Sequence, residues 1–271
     1  MIAPNINLKE FEAVVFDLDG CIYVGKRVVP GAPRVVERLR DLNKSVIFVT
    51  NNATKTPEGF ASKLRGLGIK ASGDDVLTSA TATAVFMSEK FGKCNVFPIG
   101  GRGLTDELRK QGHRIISINR IDRADSVVAC LDFQFTYKKL HAASSAILSG
   151  NRFIATNVDP VVPVEDGFMP GAGAIVSAIV TATNKEPYVV GKPSRYILDL
   201  ASKKLGVSPK ETVIVGDRLD TDIKGGNETG AFTILVLSGA TTLKKLQNVG
   251  DPQFKPKLTL EDVGHMLPYL S

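Results

Sequence analysis

Short runs of β-forming residues alternate with segments of helical spacing along most of this 271-residue chain, and that alternation narrows the fold more than any other feature. Ala13-Val14-Val15-Phe16 is apolar throughout, as a strand buried on both faces must be. Val35, Leu39 and Leu42 then recur at helical spacing, with Pro30, Gly31 and Pro33 at the entrance. A second apolar run, Ser45 to Thr50, precedes a helix that Pro57 can start, with Phe60, Leu64 and Leu67 inside and Gly68 to close it. The grammar returns late in the chain. Tyr188-Val189-Val190 leads into a helix carrying Ile197, Leu200, Ala201 and Leu205, and the runs Thr212 to Val215 and Phe232 to Leu237 follow. Repeated βα units of this kind build a parallel sheet covered by helices.

Four of those strands end in polar or charged residues. Asp17 and Asp19 follow the first, Thr50-Asn51-Asn52 closes the second, Gly191-Lys192-Pro193 follows Val190, and Gly216-Asp217 follows Val215. Ligands in open parallel sheets collect outside the carboxyl ends of the strands, so these residues are expected to share one site. Between Ser79 and Asn184 the alternation changes character. Val96 to Ile99, Ser126 to Ala129 and Arg152 to Thr156 read as strands and Leu140 to Leu148 as a helix. Pro160, Pro163, Gly167, Pro170, Gly171 and Gly173 then read as a turn-rich loop. The expected organisation is a core domain over 1–79 and 185–271, with a separate α/β module over 80–184 inserted into it.

Bulk properties exclude several classes. The chain carries 34 Lys and Arg against 28 Asp and Glu, a net charge of +6, and no basic block interleaved with aromatics, so nucleic acid is not an expected partner. The three cysteines, Cys21, Cys94 and Cys130, form no CxxC or Cys/His cluster, which fits a reducing compartment. Residues 1–11 hold no apolar run of signal-peptide length, and no stretch of the chain approaches a membrane span. The expected location is therefore cytoplasmic, without a membrane partner.

The acidic pair carries the chemistry. Two aspartates at a buried strand end repel one another and are costly to desolvate, so a cation or a reaction must occupy them. A calcium loop counted from Asp17 would need oxygen ligands at positions that hold Cys21 and Val28, and glycine where Ile22 stands. A glycosidase pair usually comes from separate elements, with its carboxyl groups about 5 to 10 Å apart. Phosphate handling fits better, one carboxylate attacking phosphorus and the other moving protons. Lys192 at a strand-to-helix junction can meet a phosphate. It is not a Walker lysine, because Pro193 stands where Ser or Thr belongs. Asp217 can add a hard oxygen for magnesium, while Asp220 or Asp222 can cap a helix. Thr50, Asn51 and Asn52 offer neutral donors for phosphate oxygens. Gly100-Gly101-Arg102-Gly103 and Pro170-Gly171-Ala172-Gly173 lack the third glycine of a dinucleotide fingerprint, with Asp106 and Val176 in its place.

These four sites, in this order, resemble the haloacid dehalogenase-like superfamily, and the likeness covers nearly the whole chain. Asp17-Leu18-Asp19-Gly20 is similar to its first motif, Thr50 to its second, Lys192 to its third, and Gly216-Asp217 with Asp222 to its fourth. The insert between the second and third motifs, with the wording Thr50-Asn51-Asn52, Ala155-Thr156-Asn157-Val158-Asp159 and Gly191-Lys192-Pro193, resembles the NagD-like, 4-nitrophenyl phosphatase branch. The resemblance implies a Rossmann-like parallel-sheet core with a large α/β cap. It implies Asp17 as nucleophile, Asp19 as general acid and base, and Thr50, Asn51, Asn52 and Lys192 on the substrate phosphate. Mg2+ would be held by Asp17, the main-chain carbonyl of Asp19, and Asp217, with Asp222 in or near the outer shell. The implied activity is hydrolysis of small soluble phosphate esters. A phosphomutase, or an idle phosphate-binding regulatory protein, are the alternatives on the same scaffold. The loop from Asn157 to Gly173 is expected to set selectivity, with Val161 and Val162 as an apolar wall, and relatives of this kind often form homodimers through the cap.

Overall fold

The computed structural model describes residues 6–164 and 167–271; Met1 to Asn5, part of the opening read for a leader, and Glu165-Asp166, within the expected loop, lie outside the described residues. In chain order, β1 (Ala13–Phe16) runs into a small hairpin, β2 (Tyr23–Val24) with β3 (Arg27–Val28), and then α1 (Ala32–Asp41). β4 (Ser45–Thr50), α2 (Pro57–Gly66) and β5 (Val76–Thr78) complete the first part. Next come α3 (Ser79–Phe91), β6 (Asn95–Ile99), α4 (Arg102–Lys110), β7 (Arg114–Ile115), β8 (Ser126–Ala129), α5 (Tyr137–Leu148) and β9 (Arg152–Ala155). β10 (Val161–Val164), β11 (Gly167–Pro170), α6 (Ala172–Thr183) and β12 (Tyr188–Val189) follow. The chain closes through α7 (Arg195–Leu205), β13 (Thr212–Gly216), α8 (Lys224–Thr229), β14 (Phe232–Val236), α9 (Leu243–Gln247) and β15 (Leu258–Leu260).

Eleven of the described strands form two parallel sheets. The first has the order β15-β14-β13-β1-β4-β5, and the second the order β12-β9-β8-β6-β7. In the first, β1 is central: Phe16 pairs with Val215 of β13 on one side and Phe48 of β4 on the other. The chain leaves β1 toward β4 and returns later on the β13 side, so the strand order reverses at β1. That is where a crevice opens at the strand ends. β1 is buried on both faces because both are covered. Val14, Phe16 and Phe48 pack with α1 and α2, whereas Val15, Ile47 and Val49 join a cluster that continues under α3 and α7 to Val96, Val128 and Ile154 of the second sheet.

Two readings from sequence change. Tyr188–Val189 pairs with β9 in the second sheet, not with the first, so the return to the first sheet begins only after Val189. Two residues carry too little apolar pattern to choose a sheet; the partner strand chooses. The segment read as a loop around Pro163 is an antiparallel hairpin, β10 with β11, in which Val161 faces Pro170 and Pro163 faces Phe168. The β-branched valines outweigh the prolines there, because a two-stranded ribbon leaves each strand an outer edge where a missing N–H breaks no ladder bond. Cys21 is fully buried against Val215, and burial pushes its thiol well up, which suits a small core filler. No described helix is long and apolar enough to cross a membrane.

Candidate active site

The crevice above β1, β4 and β13 is lined by Asp17, Asp19, Thr50, Asn51, Asn52, Lys192 and Asp217 from the strand ends, and by Leu131, Asn157, Asp159, Val161, Val162 and Ala172 from the second sheet's side. Charged and amide groups on one side and apolar side chains on the other suit it to a small polar ligand. Of the residues that the resemblance gives to the site, all line it but Asp222, which stands behind Lys192; Asp220, read as a helix cap, does not line it either.

Lys192 is 3% exposed, and all three ammonium hydrogens have partners: Asp17 Oδ1 at 2.5 Å, Asp222 Oδ1 at 2.7 Å and the Val49 carbonyl at 2.9 Å. Burial pulls the ammonium's pKa down, but the Asp17 and Asp222 carboxylates outweigh it and the net direction is up, so Lys192 stays charged. The second oxygen of Asp222 accepts the Arg218 main-chain N–H at 3.2 Å, fixing the turn of π-helix over Leu219–Ile223. Asp222 therefore holds Lys192 and also fixes the start of that turn. The neighbouring Asp220 pairs with the Arg218 guanidinium at 2.8 and 3.2 Å.

Asp17, Asp217 and Asp222 bring carboxylate oxygens within 4.8 Å of one another. One ammonium does not balance three carboxylates. Burial raises the Asp17 carboxyl well above its ordinary value; Lys192 opposes this, while Asp222 and Asp217 add to it. Asp217, 1% exposed, is pushed up to about 7 by burial and then by Asp222. Its Oδ2 accepts the Ala240 N–H at 2.6 Å, but its buried Oδ1 has no partner. A hard divalent cation suits this set, since it would supply the missing partner and neutralise the excess charge.

Asp19 is turned away from that cluster. Its Oδ2 accepts from the Tyr23 hydroxyl at 3.5 Å, and the Lys63 ammonium lies 3.3 Å from the centre of the Tyr23 ring. Burial raises the Asp19 carboxyl, with Lys63 and a hydrogen bond from Asn52 opposing. The Asn52 carbonyl oxygen is taken by Thr54 at 2.7 and 3.1 Å, and the Thr50 hydroxyl accepts the Asn52 main-chain N–H at 3.0 Å.

The side chain of Asn51 is engaged within the protein. Its amide nitrogen donates to the Lys192 carbonyl at 3.0 Å and to both Asp159 oxygens at 3.1 and 3.2 Å. An amide has two hydrogens, and both are occupied, leaving none for a phosphate oxygen. Residue type and position do not reveal this, because Asp159 approaches from the second sheet, 108 residues away in sequence.

The segment Ser238-Gly239-Ala240 was not legible as part of the site. Ala240 holds Asp217, and the Ser238 hydroxyl donates to the Gly20 carbonyl at 2.6 Å. A Cβ on Gly239 would stand 2.0 Å from Asp217 Oδ2. The signal was present in outline, since the triplet closely follows β14, a neighbour of β13 in the same sheet.

Comparison with known proteins shows the family. A family model described as haloacid dehalogenase-like hydrolase matches residues 14–114, and a HAD-hydrolase-like model matches 189–266. An acid sugar phosphatase of Staphylococcus saprophyticus is 38% identical over 97% of this chain and 99% of its own. The chain belongs to the haloacid dehalogenase-like superfamily. It is a phosphatase of the NagD-like, 4-nitrophenyl phosphatase branch. Among solved structures, a 4-nitrophenylphosphatase from Thermotoga maritima superposes with a TM-score of 0.91 at 33% identity, covering 97% of this chain and 99% of that one. A glycerol phosphate phosphatase from Mycobacterium tuberculosis, in complex with magnesium, gives 0.87 at 32% identity, covering 97% and 78%.

Proposed function

We propose that this phosphatase hydrolyses small soluble phosphate monoesters through an aspartyl-phosphate on Asp17 and depends on Mg2+. The observation that carries the reading is the convergence of Asp17, Lys192 and Asp217 at one crevice, with a buried Asp217 oxygen left unpartnered. Asp17, Asp217 and the main-chain carbonyl of Asp19 would hold the ion, and Asp222 would remain behind Lys192. When bound, the cation offsets the charge of the phosphoryl group and stabilises it during transfer.

The residues divide the remaining work. A carboxylate approaching a phosphate dianion faces repulsion, and the Lys192 ammonium on Asp17 lowers that barrier while orienting the attacking oxygens. Asp19, with its carboxyl raised by burial, can protonate the leaving oxygen and then take a proton from the water that opens the aspartyl-phosphate. The free hydrogen of the Thr50 hydroxyl suits a phosphoryl oxygen. We assign the second sheet and its helices the role of a cap that excludes water and contacts the leaving group. Leu131, Val161, Val162 and Ala172 give that side an apolar wall, with Asn157 and Asp159 as its polar groups. The Staphylococcus and Mycobacterium relatives, named for sugar and glycerol phosphates, support a small polyol ester.

The test is phosphate release from a panel of sugar, glycerol, glycolate and aryl phosphates, with magnesium and then with chelator. Asp17→Asn is expected to abolish turnover while leaving the fold intact by circular dichroism. Unchanged hydrolysis in that variant would remove Asp17 as the nucleophile.

A further inference from the structure

We propose that Asn51 is a positioning residue, a clamp that sets Lys192 and ties it to the seating of the second sheet over the crevice. The proposal rests on the phosphatase reading above and adds to it.

The amide of Asn51 binds both main-chain polar groups of Lys192, donating to its carbonyl at 3.0 Å and accepting its N–H at 2.8 Å. Lys192 is thereby held from its backbone as well as from its ammonium. The main-chain carbonyl of Asn51 accepts from the Ser79 hydroxyl at 2.7 Å and from the Asn157 amide at 2.8 Å. Ser79 opens α3, where the chain leaves the first sheet, and Lys192 lies where it returns. One residue thus touches both crossings between the sheets. Through Asn157 and Asp159 it also holds the far wall of the crevice.

The surroundings are built for this contact. Gly191 donates to the Thr156 carbonyl at 2.8 Å, and a Cβ there would stand 2.4 Å from that oxygen and 2.6 Å from Asn51 Oδ1. Only glycine admits both. Asp159 is itself pinned, its N–H donating to Asn157 Oδ1 at 3.1 Å and its carbonyl accepting from Gly173 at 2.9 Å. The polarity of the Asn51–Asp159 contact is fixed, amide donating and carboxylate accepting, and it is reversible by exchange.

The experiment exchanges the two residues. In Asn51→Asp two carboxylates face each other, and like charges in contact are expected to cut kcat about 100-fold. Asp159→Asn keeps an acceptor for the Asn51 amide and is expected to lose less than about 5-fold. The double variant restores a donor–acceptor pair with residue 159 and an acceptor for the Lys192 N–H, while the Lys192 carbonyl keeps a carboxylate oxygen opposite it, so it should recover about 3-fold over Asn51→Asp and stay well below wild type. All four proteins are assayed well below their melting temperatures with 4-nitrophenyl phosphate, so that recovered turnover reports positioning and not mere folding. A double variant no faster than Asn51→Asp overturns the proposal, because the contact with residue 159 would then carry none of the loss. Near-normal turnover of Asn51→Asp overturns it too. If Asn51→Asp does not fold, the Asn51→Ala and Asp159→Ala cycle decides: overlapping losses support the clamp, and losses that simply multiply refute it. Should the wild-type chain release no phosphate from any ester, the phosphatase reading falls. The fall and recovery of the melting temperature across the exchange would still report the contact.

Discussion

Gly239→Ala is a small change with a large expected consequence. The added methyl would lie 2.0 Å from Asp217 Oδ2 and 2.6 Å from its carboxyl carbon. Ordinary contact needs about 3.5 Å, so about 1.5 Å of displacement must be found. Asp217 has little room, being 1% exposed and bonded to the Ala240 N–H at 2.6 Å. The exposed segment around Gly239 therefore yields, or the carboxylate turns, and in either case the Ala240 bond is lost. Overpacking of this kind costs about 1–3 kcal/mol, which for a chain of this size lowers the melting temperature by about 2–10 °C. Misplacing a group at the reacting centre by about 1 Å is worth about 100-fold in rate, so kcat/KM should fall by about two orders of magnitude and more Mg2+ should be needed for half-maximal activity. The assay is release of 4-nitrophenolate across a magnesium titration. Gly66→Ala is the control, since a methyl there meets nothing within 4 Å and the position lies at the end of α2. That control should keep full activity and be equally or slightly more stable. Gly239→Ala within about three-fold of wild type, at an unchanged magnesium requirement, would refute the assignment of Asp217.

Two further outcomes follow from buried groups. In chelator, the folded-state carboxyl of Asp217 stands at about 7, above its ordinary value. The resulting loss of stability is present in full above about pH 7 and fades as pH falls toward the ordinary carboxylate range near 4. The melting temperature of the metal-free protein should therefore gain from this group between pH 8 and pH 5, and saturating Mg2+ should flatten that gain; a scan showing no magnesium effect at pH 8 would contradict the cation site. His113→Ala lies away from the crevice: it strands the Cys94 N–H, held at 3.2 Å, and the Ala84 carbonyl, held at 3.1 Å. A loss of about 2–3 kcal/mol, measured by urea unfolding, is expected with kcat unchanged.

The sequence by itself determined the parallel-sheet core and most of its central strands. A strand buried on both faces must be apolar from end to end, so β1, β4, β13 and β14 announce themselves. It determined as well that Asp17, Thr50, Lys192 and Asp217 stand at strand ends, because the apolar runs stop there. Edge strands were not legible: β5, β7 and β15 have two or three residues each, too few for a period, and exist only because a neighbouring strand offers its free edge. The sheet that takes Tyr188–Val189 was likewise chosen by a partner far along the chain, and the strand character of Val161–Val164 by its pairing with Gly167–Pro170.

Within the site the division is similar. Residue types told which groups can attack, donate or bind a cation, since that chemistry belongs to the side chain. Which of their hydrogens and lone pairs remain free was decided by packing alone. Asn51 is the clearest case: its two N–H hydrogens go to Lys192 and Asp159, 141 and 108 residues away, so a side chain with the right chemistry for phosphate has no donor left to offer it. Gly239 shows the converse. A residue with no side chain became part of the site because only an absent one leaves room for Asp217.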